Sequence, residues 1–479
     1  MTKQDHLEDK NVVAVIDAFF GDNGKGKVSD YLASLKIDGN NLFDYTYRPN
    51  GGTNTGHTVV INSVKYVFHL VPSASLVPNM TSFIGRSVLF EPKTYFSERK
   101  IVEANNPTSR IWIDSNAHVI MPWHILLDNL REVVDSERNI GTTGKGVGPC
   151  QETKASRKGF VRVETLLNKE ELEYRVKESL RIRGPELYDL INRFNDNKIL
   201  VEKYVNVETY ISSIKLADES NLMEFFSENK INADIVVNKY LELGKKLESD
   251  VKEDSAAMLR EQVRNNNKKV IVEGAQGVFL DEDDGTYPNS TAGRTTRSGL
   301  EAAAGLDFDL VYNVIKAYGT RVGSGPFITE LHGDIADALR KAGNEYGATT
   351  GRPRRVGWLD APALKYAFEL NSRRNEEKLV VMNKLDVLAG FDPLIIIDYK
   401  LPIVDNTFEP IYKYIPSEVD RLKIGRSIYN GTIESIKDAK NFKDLPINAA
   451  NYVRTVEELT DCKIRMLGTG HGRDDIIFE

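Results

Sequence analysis

The patterned part of the chain begins with a short apolar run that ends in glycines. Residues 12–16 read VVAVI, a continuous and mostly β-branched run that is typical of a strand buried on both faces. Beyond the glycines, Val28, Tyr31, Leu32 and Leu35 recur at the spacing of one helical face. A strand, a glycine turn and a helix in this order predict an α/β protein.

The same change from apolar run to turn recurs further along the chain. KKVIVEGAQG at 268–277 and LVVMNKLDVLAG at 379–390 each predict a strand that leads into a turn. Residues 118–134 predict a helix, with an apolar side made of Ile120, Trp123, Leu127, Leu130 and Val134. We therefore expect a large, mostly parallel central sheet with surrounding helices.

Residues 165–268 differ in character from the rest. They are charged, poor in glycine and helical in pattern, so we interpret them as a helical subdomain or insertion within one catalytic domain spanning 1–479. RNNNKK at 264–269 is the best linker candidate.

Composition and charge narrow the class of protein. The 479 residues are 41% hydrophobic and 28% charged, with a formal net charge of -7, which argues against non-specific binding to nucleic acid. The two cysteines lie far apart and form neither a disulfide framework nor a zinc spacing. The polar start is unlike a secretory signal, and no apolar run reaches the ~18 residues of a membrane helix. We expect a cytoplasmic protein without a membrane partner.

The first glycine turn, FFGDNGKGKVSD at 19–30, has the composition of a phosphate-binding loop. Backbone amides, a helix N-terminus and two lysines can hold phosphate oxygens. The spacing differs from the common G-x-x-x-x-G-K-[ST] loop, so the expected fold is similar to a P-loop NTPase without a standard Walker A motif. Asp22 would be repelled by phosphate unless it holds Mg²⁺ or works as a base. The alternative is a tight turn with a solvated aspartate.

Three further glycine-rich turns add candidate chemistry. RPNGGTNTGHTVV at 48–60 contains Asn54 and His57, a possible general acid or phosphate ligand as well as a possible structural histidine. GTTGKGVGP at 141–149 offers hydroxyls and free amides, and a basic segment with Arg157 follows. GATTGRPRRVGW at 347–358 concentrates arginines in a loop stiffened by proline, which predicts a clamp for an anion.

A guanine reader and a polar strand end complete the candidate residues. NKLD at 383–386 follows an apolar run, and an aspartate there can accept hydrogen bonds from guanine N1–H and N2–H₂, a pair that adenine does not supply. Gln276 and Thr291 are candidate polar contacts on either side of an acidic run at 281–284. That run lacks the later ligands of a Ca²⁺ loop, so a structural turn is favoured.

Taken together, these blocks resemble the adenylosuccinate synthetase family. FGDNGKGK is similar to the family's W-G-D-E-G-K-G-K, GGTNTGHT to G-G-x-N-A-G-H-T, and GTTGKGVGP to G-T-T-G-R-G-I-G-P. EGAQG, DGTYP, KAYGTRVGSGPFITEL, GATTGRPRRVGWLD and NKLDVL also look like family blocks in the family's order. The resemblance extends from about residue 12 to residue 473.

The resemblance implies a reaction in two steps. GTP phosphorylates O6 of IMP, and the amine of L-aspartate then displaces that phosphate, which gives adenylosuccinate, GDP and phosphate. By similarity, Asp22 takes the N1 proton and holds Mg²⁺ together with the carbonyl of Gly56. His57 is the acid at the transferring phosphoryl group, Gln276 orients the purine O6, and Lys25 neutralises phosphate charge.

The resemblance also implies three sets of binding residues. The contacts implied for IMP are Asp22, Asn23, Gly24, Lys25, Asn54, Thr55, Gly56, His57, Thr143, Arg157, Gln276, Thr291 and Arg352. Those implied for GTP are Gly21, Asp22, Asn23, Gly24, Lys25, Gly26, Lys27, Gly56, His57, Thr58, Arg354, Lys384, Leu385, Asp386, Gly468, Thr469 and Gly470. Those implied for L-aspartate are Ala348, Thr349, Thr350, Gly351, Arg352, Pro353 and Arg354. Arg157 matches an arginine that reaches the IMP phosphate of a neighbouring subunit, so a homodimer is implied.

Departures from the family pattern concern specificity. Asn23 stands where the family usually has Glu, Phe20 replaces the usual Trp, and Arg294 is placed near the nucleotide. The alternatives are a phage-type relative that acts on another purine nucleotide such as dGMP, and a non-catalytic nucleotide-binding homologue. The phage-type enzymes lose the aspartate of the first loop, so Asp22 favours the IMP ligase. A non-catalytic nucleotide sensor would not need a base such as Asp22, so the presence of Asp22 also favours an enzyme.

Overall fold

A ten-stranded sheet forms the centre of the protein. The computed structural model describes residues 5–136, 140–218, 220–227, 230–347, 351–402 and 408–479. The strands of the sheet, in chain order, are β1 (Val12–Asp17), β2 (Tyr45–Arg48), β3 (Thr81–Ile84), β4 (Arg110–Asp114), β5 (Val251–Lys252), β6 (Val270–Glu273), β7 (Leu310–Lys316), β8 (Leu379–Asn383), β9 (Lys463–Gly468) and β10 (Ile476–Phe478). Their spatial order is β5-β4-β3-β2-β6-β1-β7-β8-β9-β10.

The sheet is parallel except at one edge. β1 lies between β6 and β7, with Val12 opposite Val270 and Ala14 opposite Val311, and both pairings are parallel. Only β10 runs antiparallel within the described strands of this sheet, against β9. The predicted mostly parallel sheet is therefore confirmed, and its strands point their carboxyl ends to one side, where ligands bind in open α/β sheets.

Both faces of β1 are covered, which explains its uninterrupted apolar sequence. Val13 and Val15 belong to a buried cluster that includes helix residues Val28 and Leu32, whereas Ala14 belongs to the cluster on the opposite face. All six residues of β1 are buried. A strand packed on both sides has no exposed face, so alternation of polar and apolar residues is absent.

Thirteen α-helices lie in the described part of the chain. They are α1 (Lys25–Ser34), α2 (Pro92–Asn105), α3 (Pro122–Val134), α4 (Val147–Ser156), α5 (Lys169–Asp196), α6 (Lys198–Tyr204), α7 (Val207–Ser213), α8 (Ala233–Leu247), α9 (Ser255–Asn266), α10 (Arg297–Ala304), α11 (Gly333–Ala342), α12 (Ala361–Leu370) and α13 (Ile447–Thr460). None of the described helices is both long and apolar enough to cross a membrane.

Short strands outside the central sheet form hairpins and small sheets. They lie at Lys36–Ile37, Asn40–Asn41, His57–Ile61, Val64–Phe68, Leu89–Phe90, His118–Val119, Phe226–Ser227, Lys230–Ile231, Gly319–Arg321, Arg355–Gly357, Leu359–Asp360, Leu394–Ile396, Tyr399–Pro402, Phe408–Ile411, Lys423–Ile424 and Ser427–Tyr429. The strand His57–Ile61 pairs with Val64–Phe68 and places His57 at the start of a hairpin.

Two sequence expectations differ from the structure in their boundaries. The helix expected from residue 118 begins at Pro122, because His118 and Val119 pair instead with Leu89 and Phe90 and a proline then occupies the first helical position. The proposed linker at 264–269 is partly helical, since α9 continues to Asn266. Within 165–268 the structure has α5 to α9, and β5 joins the edge of the central sheet.

Candidate active site

The carboxylate of Asp17, at the end of β1, organises the first glycine loop. It is fully buried and accepts hydrogen bonds from the backbone amides of Phe19 at 2.9 Å, Gly21 at 3.0 Å and Asn23 at 3.0 Å. The side chains of Asn23, at 2.8 Å, and Lys25, at 3.3 Å, also donate to it. Five donors on one buried carboxylate fix the loop before any ligand binds.

Gly24 places the start of α1 against the end of β8. It is the N-cap of α1 at φ +94°, a left-handed backbone that favours glycine. A Cβ on Gly24 would lie 2.8 Å from Nδ2 of Asn383, which itself donates to the carbonyl of Asn23 at 2.8 Å. The phosphate loop and the NKLD segment therefore touch, and the helix N-terminus points its positive end toward them.

Asp22, the expected base, is bound by an arginine from the fourth glycine-rich loop. Nε of Arg354 donates to Oδ2 of Asp22 at 2.7 Å, and Nη1 of Arg354 donates to Oε2 of Glu345 at 2.8 Å. The Asp22 side chain is 27% exposed, whereas Glu345 is fully buried. The expected anion clamp is thus joined to the expected base, although the two lie 332 residues apart in the sequence.

His57 is buried beside a glutamate at the end of β6. Its Nδ1 contacts Oε1 of Glu273, and the same carboxylate accepts from the amide and hydroxyl of Ser73 at 3.0 and 2.8 Å. Burial, together with the charges of Arg48 and Lys25, lowers the pKa of His57 well below its usual range. Nε2 of His57 is buried without a hydrogen-bond partner among the described residues, so it is available to a ligand.

The second glycine loop lies against the first. A Cβ on Gly26 would come within 3.2 Å of the Thr58 carbonyl and 3.4 Å of the His57 side chain. Thr55 is buried and donates to the Gly52 carbonyl at 2.9 Å, whereas Gly56 is exposed at the tip. These contacts bring the expected acid to the expected phosphate loop.

Gln276 and Asn54, both expected at IMP, contact each other. Nε2 of Gln276 donates to Oδ1 of Asn54 at 3.1 Å. Gln276 has φ +58°, in the left-handed region that residues other than glycine rarely adopt. A cavity of about 280 Å³ opens beside this pair, and its lining includes Gln276, Thr291, Lys154 and Arg294. The cavity has room for a small polar ligand beside Gln276.

The expected guanine readers form a separate end of the site. Nζ of Lys27 donates to the carbonyls of Gly470 at 2.8 Å and Asp475 at 2.7 Å, which joins α1 to the segment after β9. Nζ of Lys384 donates to the Gly343 carbonyl at 2.8 Å. Oδ1 of Asp386 is buried and has no hydrogen-bond partner within the described ranges. An unpaired buried acceptor fits a donor supplied by a ligand.

Several of the remaining expected residues line the same end. Leu385 is fully buried behind Asp386, and a Cβ on Gly468 would collide with Asn383. The amide of Thr469 donates to the Asp475 carbonyl at 2.9 Å. Burial lowers the pKa of Lys384 and lowers that of Lys27 to about 8. Both ammonium groups are desolvated near Asp386, and a bound anion would stabilise their charged forms.

Other expected residues are exposed. Thr143 and Arg157 are exposed, the first in the loop before α4 and the second at its C-terminal cap, and neither is among the described residues that line the cavity. Gly351, Arg352 and Pro353 are also exposed. Ala348, Thr349 and Thr350 lie outside the described residues. Of the residues expected to bind L-aspartate, the structure therefore describes only 351–354.

Three carboxylates of the site escaped the sequence analysis. Asp17 and Glu273 end buried strands directly before glycine turns, and Glu345 lies two residues before GATT. A carboxylate in a predicted buried strand needs partners, which is the signal that could have marked the first two. Glu345 carries no such signal, because its partners come from distant parts of the chain.

The donor set at the first loop fits the implied Mg²⁺ ion. The Arg354 contact uses Oδ2 of Asp22, which leaves Oδ1 as an oxygen donor, and the Gly56 carbonyl is at an exposed tip. Proteins commonly hold Mg²⁺ with one or two carboxylates and with substrate phosphates. Among the described residues no group of three His, Cys, Asp or Glu side chains forms a metal cage. The set therefore suits an ion shared with a nucleotide.

The expected phosphate loop, the candidate base and the expected guanine-reading segment meet at the carboxyl ends of a parallel sheet, an arrangement typical of nucleotide-dependent α/β enzymes. The model of the adenylosuccinate synthetase family matches residues 14–230 and 213–477, and the chain belongs to that family. Its activity is the GTP-dependent joining of IMP and L-aspartate, so it is a ligase of purine biosynthesis.

Individual relatives match over nearly their whole length. The adenylosuccinate synthetase of Clostridium acetobutylicum is 36% identical over 472 residues, covering 97% of this chain and 98% of the relative. That of Clostridioides difficile is 35% identical over 474 residues, with the same coverage. The fully ligated Plasmodium falciparum enzyme is 31% identical, covers 98% of this chain and 100% of its own, and superposes with a TM-score of 0.78.

A more distant structure shares the fold. A cyanophage succinoaminodeoxyadenylate synthetase, bound to dGMP and dATP, has a TM-score of 0.57 at 16% identity. It covers 98% of this chain and 95% of its own. That likeness concerns the fold alone, and the curated relatives do not favour the phage-type alternative.

Proposed function

We propose that the enzyme joins L-aspartate to C6 of IMP through a 6-phosphoryl intermediate, with the residues of the first two glycine loops carrying the chemistry. The observation that carries the proposal is the position of Asp22. It lies on a loop that contacts the Gln276 turn through Gly21 and the NKLD segment through Asn23 and Gly24. A purine on one side and a nucleoside triphosphate on the other would then share one carboxylate.

In the first step, Asp22 removes the N1 proton of IMP, and O6 attacks the γ-phosphorus of GTP. Nε2 of His57, which is buried and unpartnered among the described residues, donates to the transferring phosphoryl group. The lowered pKa keeps His57 neutral in the free enzyme, so the imidazolium that this step requires would form only when substrate phosphates bind, with Glu273 at the opposite ring nitrogen. Lys25 and the loop amides offset the developing phosphate charge.

In the second step, the amine of L-aspartate attacks C6 and displaces the O6 phosphate. Gln276 orients the O6 end of the purine, and Asn54 holds its amide in place. The loop at 347–354 binds the L-aspartate carboxylates through its arginines and threonines. Asp22 and the Gly56 carbonyl would hold Mg²⁺, which supplies charge neutralisation at the phosphates.

The assembly and location are part of the proposal. We infer a homodimer in which Arg157, exposed at the end of α4, reaches the IMP phosphate of the partner subunit. We infer a cytoplasmic enzyme whose partners are IMP, GTP and L-aspartate, with no nucleic acid. We infer that residues 1–479 form one catalytic domain and that α5 to α9 form a helical subdomain within it.

The test is a product assay with matched substrates. The purified protein is incubated with L-aspartate, Mg²⁺, either GTP or ATP, and one of IMP, dIMP, GMP or dGMP. Adenylosuccinate, GDP and phosphate should form in equal amounts from IMP and GTP. A succinylated product from GMP or dGMP alone, or equal use of ATP and GTP, would contradict the proposal.

A further inference from the structure

A buried carboxylate outside the reacting groups, Glu345, gathers donors from three directions. Nζ of Lys316 lies 2.8 Å from both of its oxygens, and the hydroxyl of Tyr318 donates to Oε1 at 2.6 Å. Nη1 of Arg354 donates to Oε2 at 2.8 Å. Glu345 is fully buried, and Lys316 at the end of β7 is 4% exposed. The proposed reaction assigns no role to Glu345, Lys316 or Tyr318.

Glu345 is ionised despite its burial. The charges of Lys316, Arg354 and Lys384 outweigh desolvation and lower the pKa of Glu345 to about 2. Lys316 is itself desolvated, which lowers its pKa to about 8. A buried ion pair of this kind holds its geometry because either partner alone would be costly to leave unpaired.

Arg354 extends this fixed cluster into the site. Its guanidinium donates to Glu345 on the buried side and, through Nε at 2.7 Å, to Asp22 on the exposed side. The planar fork of arginine can hold two carboxylates in a set orientation, which a lysine ammonium does not do. Nη1 of Arg354 is therefore anchored by Glu345, and Nε holds Asp22, the carboxylate that the proposed reaction needs.

Oδ2 of Asp22 must lose its contact with Arg354 before that oxygen can act. While Arg354 occupies Oδ2, that oxygen is not available to a purine proton or to a cation. L-Aspartate brings carboxylates of the same chemistry to the loop that carries Arg354. Glu345 does not have to move in such an exchange, because its own contacts lie on the buried side of the guanidinium.

We propose that Glu345 is a positioning residue of the L-aspartate site. It anchors Arg354 so that the guanidinium passes from the carboxylate of Asp22 to a carboxylate of bound L-aspartate. The inference rests on the proposed function, since it takes L-aspartate as the incoming ligand. In this exchange, Arg354 releases Asp22 when it binds L-aspartate.

The next arginine along the chain provides a matched control. Nε of Arg355 donates to Oε1 of Glu330 at 2.7 Å, and its Nη2 contacts the other oxygen of the same carboxylate. Nη1 of Arg355 donates to the Gly325 carbonyl at 2.7 Å. This pair has the same chemistry as Arg354 with Glu345, but its arginine has no contact with Asp22 among the described residues.

The experiment compares Glu345→Gln, Glu330→Gln, Arg354→Lys and the double variant Glu345→Gln/Arg354→Lys. Kinetics with each substrate varied should show KM for L-aspartate raised about tenfold or more by Glu345→Gln, with KM for IMP changed less than about threefold. The double variant should be no worse than Arg354→Lys, because Glu345 acts through Arg354. Glu330→Gln should change KM for L-aspartate less than about twofold.

Three results would overturn the inference: equal increases in all three KM values, full additivity in the double variant, or the same effect from Glu330→Gln. If Glu345→Gln does not fold, Tyr318→Phe decides, since it removes one hydrogen bond to Glu345 and keeps the ring. It should raise KM for L-aspartate about threefold and leave KM for IMP unchanged, and an unchanged KM for L-aspartate would refute the role. Wild-type product formation tests the proposed function separately.

Discussion

Two aspartates of the site, Asp386 and Asp22, stand in opposite states. A carboxylate oxygen of Asp386 is buried and unpaired among the described residues, whereas Asp22 is held by Arg354 at 2.7 Å. Leaving a buried acceptor unpaired costs about 1–3 kcal/mol, which a ligand donor recovers. The expected guanine end thus has an acceptor free for a ligand, whereas at the proposed reacting end one oxygen of Asp22 is already paired.

The contrast separates selection of the donor nucleotide from control of the chemistry. A preformed pocket discriminates well, because a mismatched base leaves its buried polar groups unpaired. On the proposal above, Oδ2 of Asp22 becomes available only when L-aspartate takes over Arg354. Variants that affect one end and spare the other can test this division.

The largest expected effect is at the reacting end, with Asp22→Ala. Turnover should fall by about 10³-fold or more, because both the base and a Mg²⁺ ligand are lost. GTP affinity should change far less, since the guanine contacts are elsewhere. Product formation, thermal unfolding and GTP binding measure the three quantities. Near wild-type kcat would refute the role of Asp22, and loss of GTP binding would refute the division.

His57→Ala should lower kcat by about 10²–10⁴-fold, because the buried donor at the phosphoryl group is removed. KM for GTP should change little. His332→Ala is the matched control, since His332 is an exposed histidine at the start of α11. Single-turnover formation of product measures the chemical step. A kcat within about threefold of wild type would exclude His57 as the acid.

At the guanine end, Asp386→Asn should raise KM for GTP by about 10–100-fold, because an amide cannot accept both guanine protons. Discrimination against ATP should relax, while kcat at saturating GTP should stay close to wild type. Steady-state kinetics with both nucleotides provide the measurement. An unchanged GTP-to-ATP ratio would remove Asp386 from guanine recognition.

Arg157→Leu tests whether a second chain completes the reacting end. KM for IMP should rise by about tenfold or more, because a charge-assisted contact to phosphate is lost, and KM for GTP should change much less. Mixing this variant with inactive Asp22→Ala should restore activity after subunit exchange. In a mixed dimer one site keeps Asp22 from one chain and takes Arg157 from the other. Demonstrated exchange without recovery would show that Arg157 does not cross an interface.

The smallest expected effect is a pH dependence at the guanine end. Burial lowers the pKa of Lys27 to about 8, so the free enzyme loses this charge as pH rises through that value. Phosphate binding favours the charged form, and KM for GTP should be flat below pH 8 and rise up to about tenfold per pH unit above it. Lys27→Arg should remove the rise, because arginine stays charged. A flat profile for the wild type would contradict the assignment.

The sequence predicted the central elements because their signals are local. Continuous apolar runs gave β1, β6 and β8, and one-sided spacing gave α1. The boundary at Pro122 was missed, because His118 pairs with a strand about thirty residues earlier. The pairing of Asp22 with Arg354 could not be predicted, since it depends on how the sheet brings β1 and the loop after α11 together. The role of Glu345 could not be predicted either, because its contacts with Lys316 and Tyr318 also depend on the fold.

The bonds from Lys27 to the carbonyls of Gly470 and Asp475 join α1 to residues that lie 443 and 448 positions later in the sequence. Arg473 strengthens the tie through a bidentate contact with the buried Asp30, at 2.6 and 2.7 Å. A chain still being synthesised therefore carries a phosphate loop from its first thirty residues but lacks the wall that closes it. The loop therefore gains these contacts only after residues 470–475 have been made, so this part of the site is completed late in synthesis.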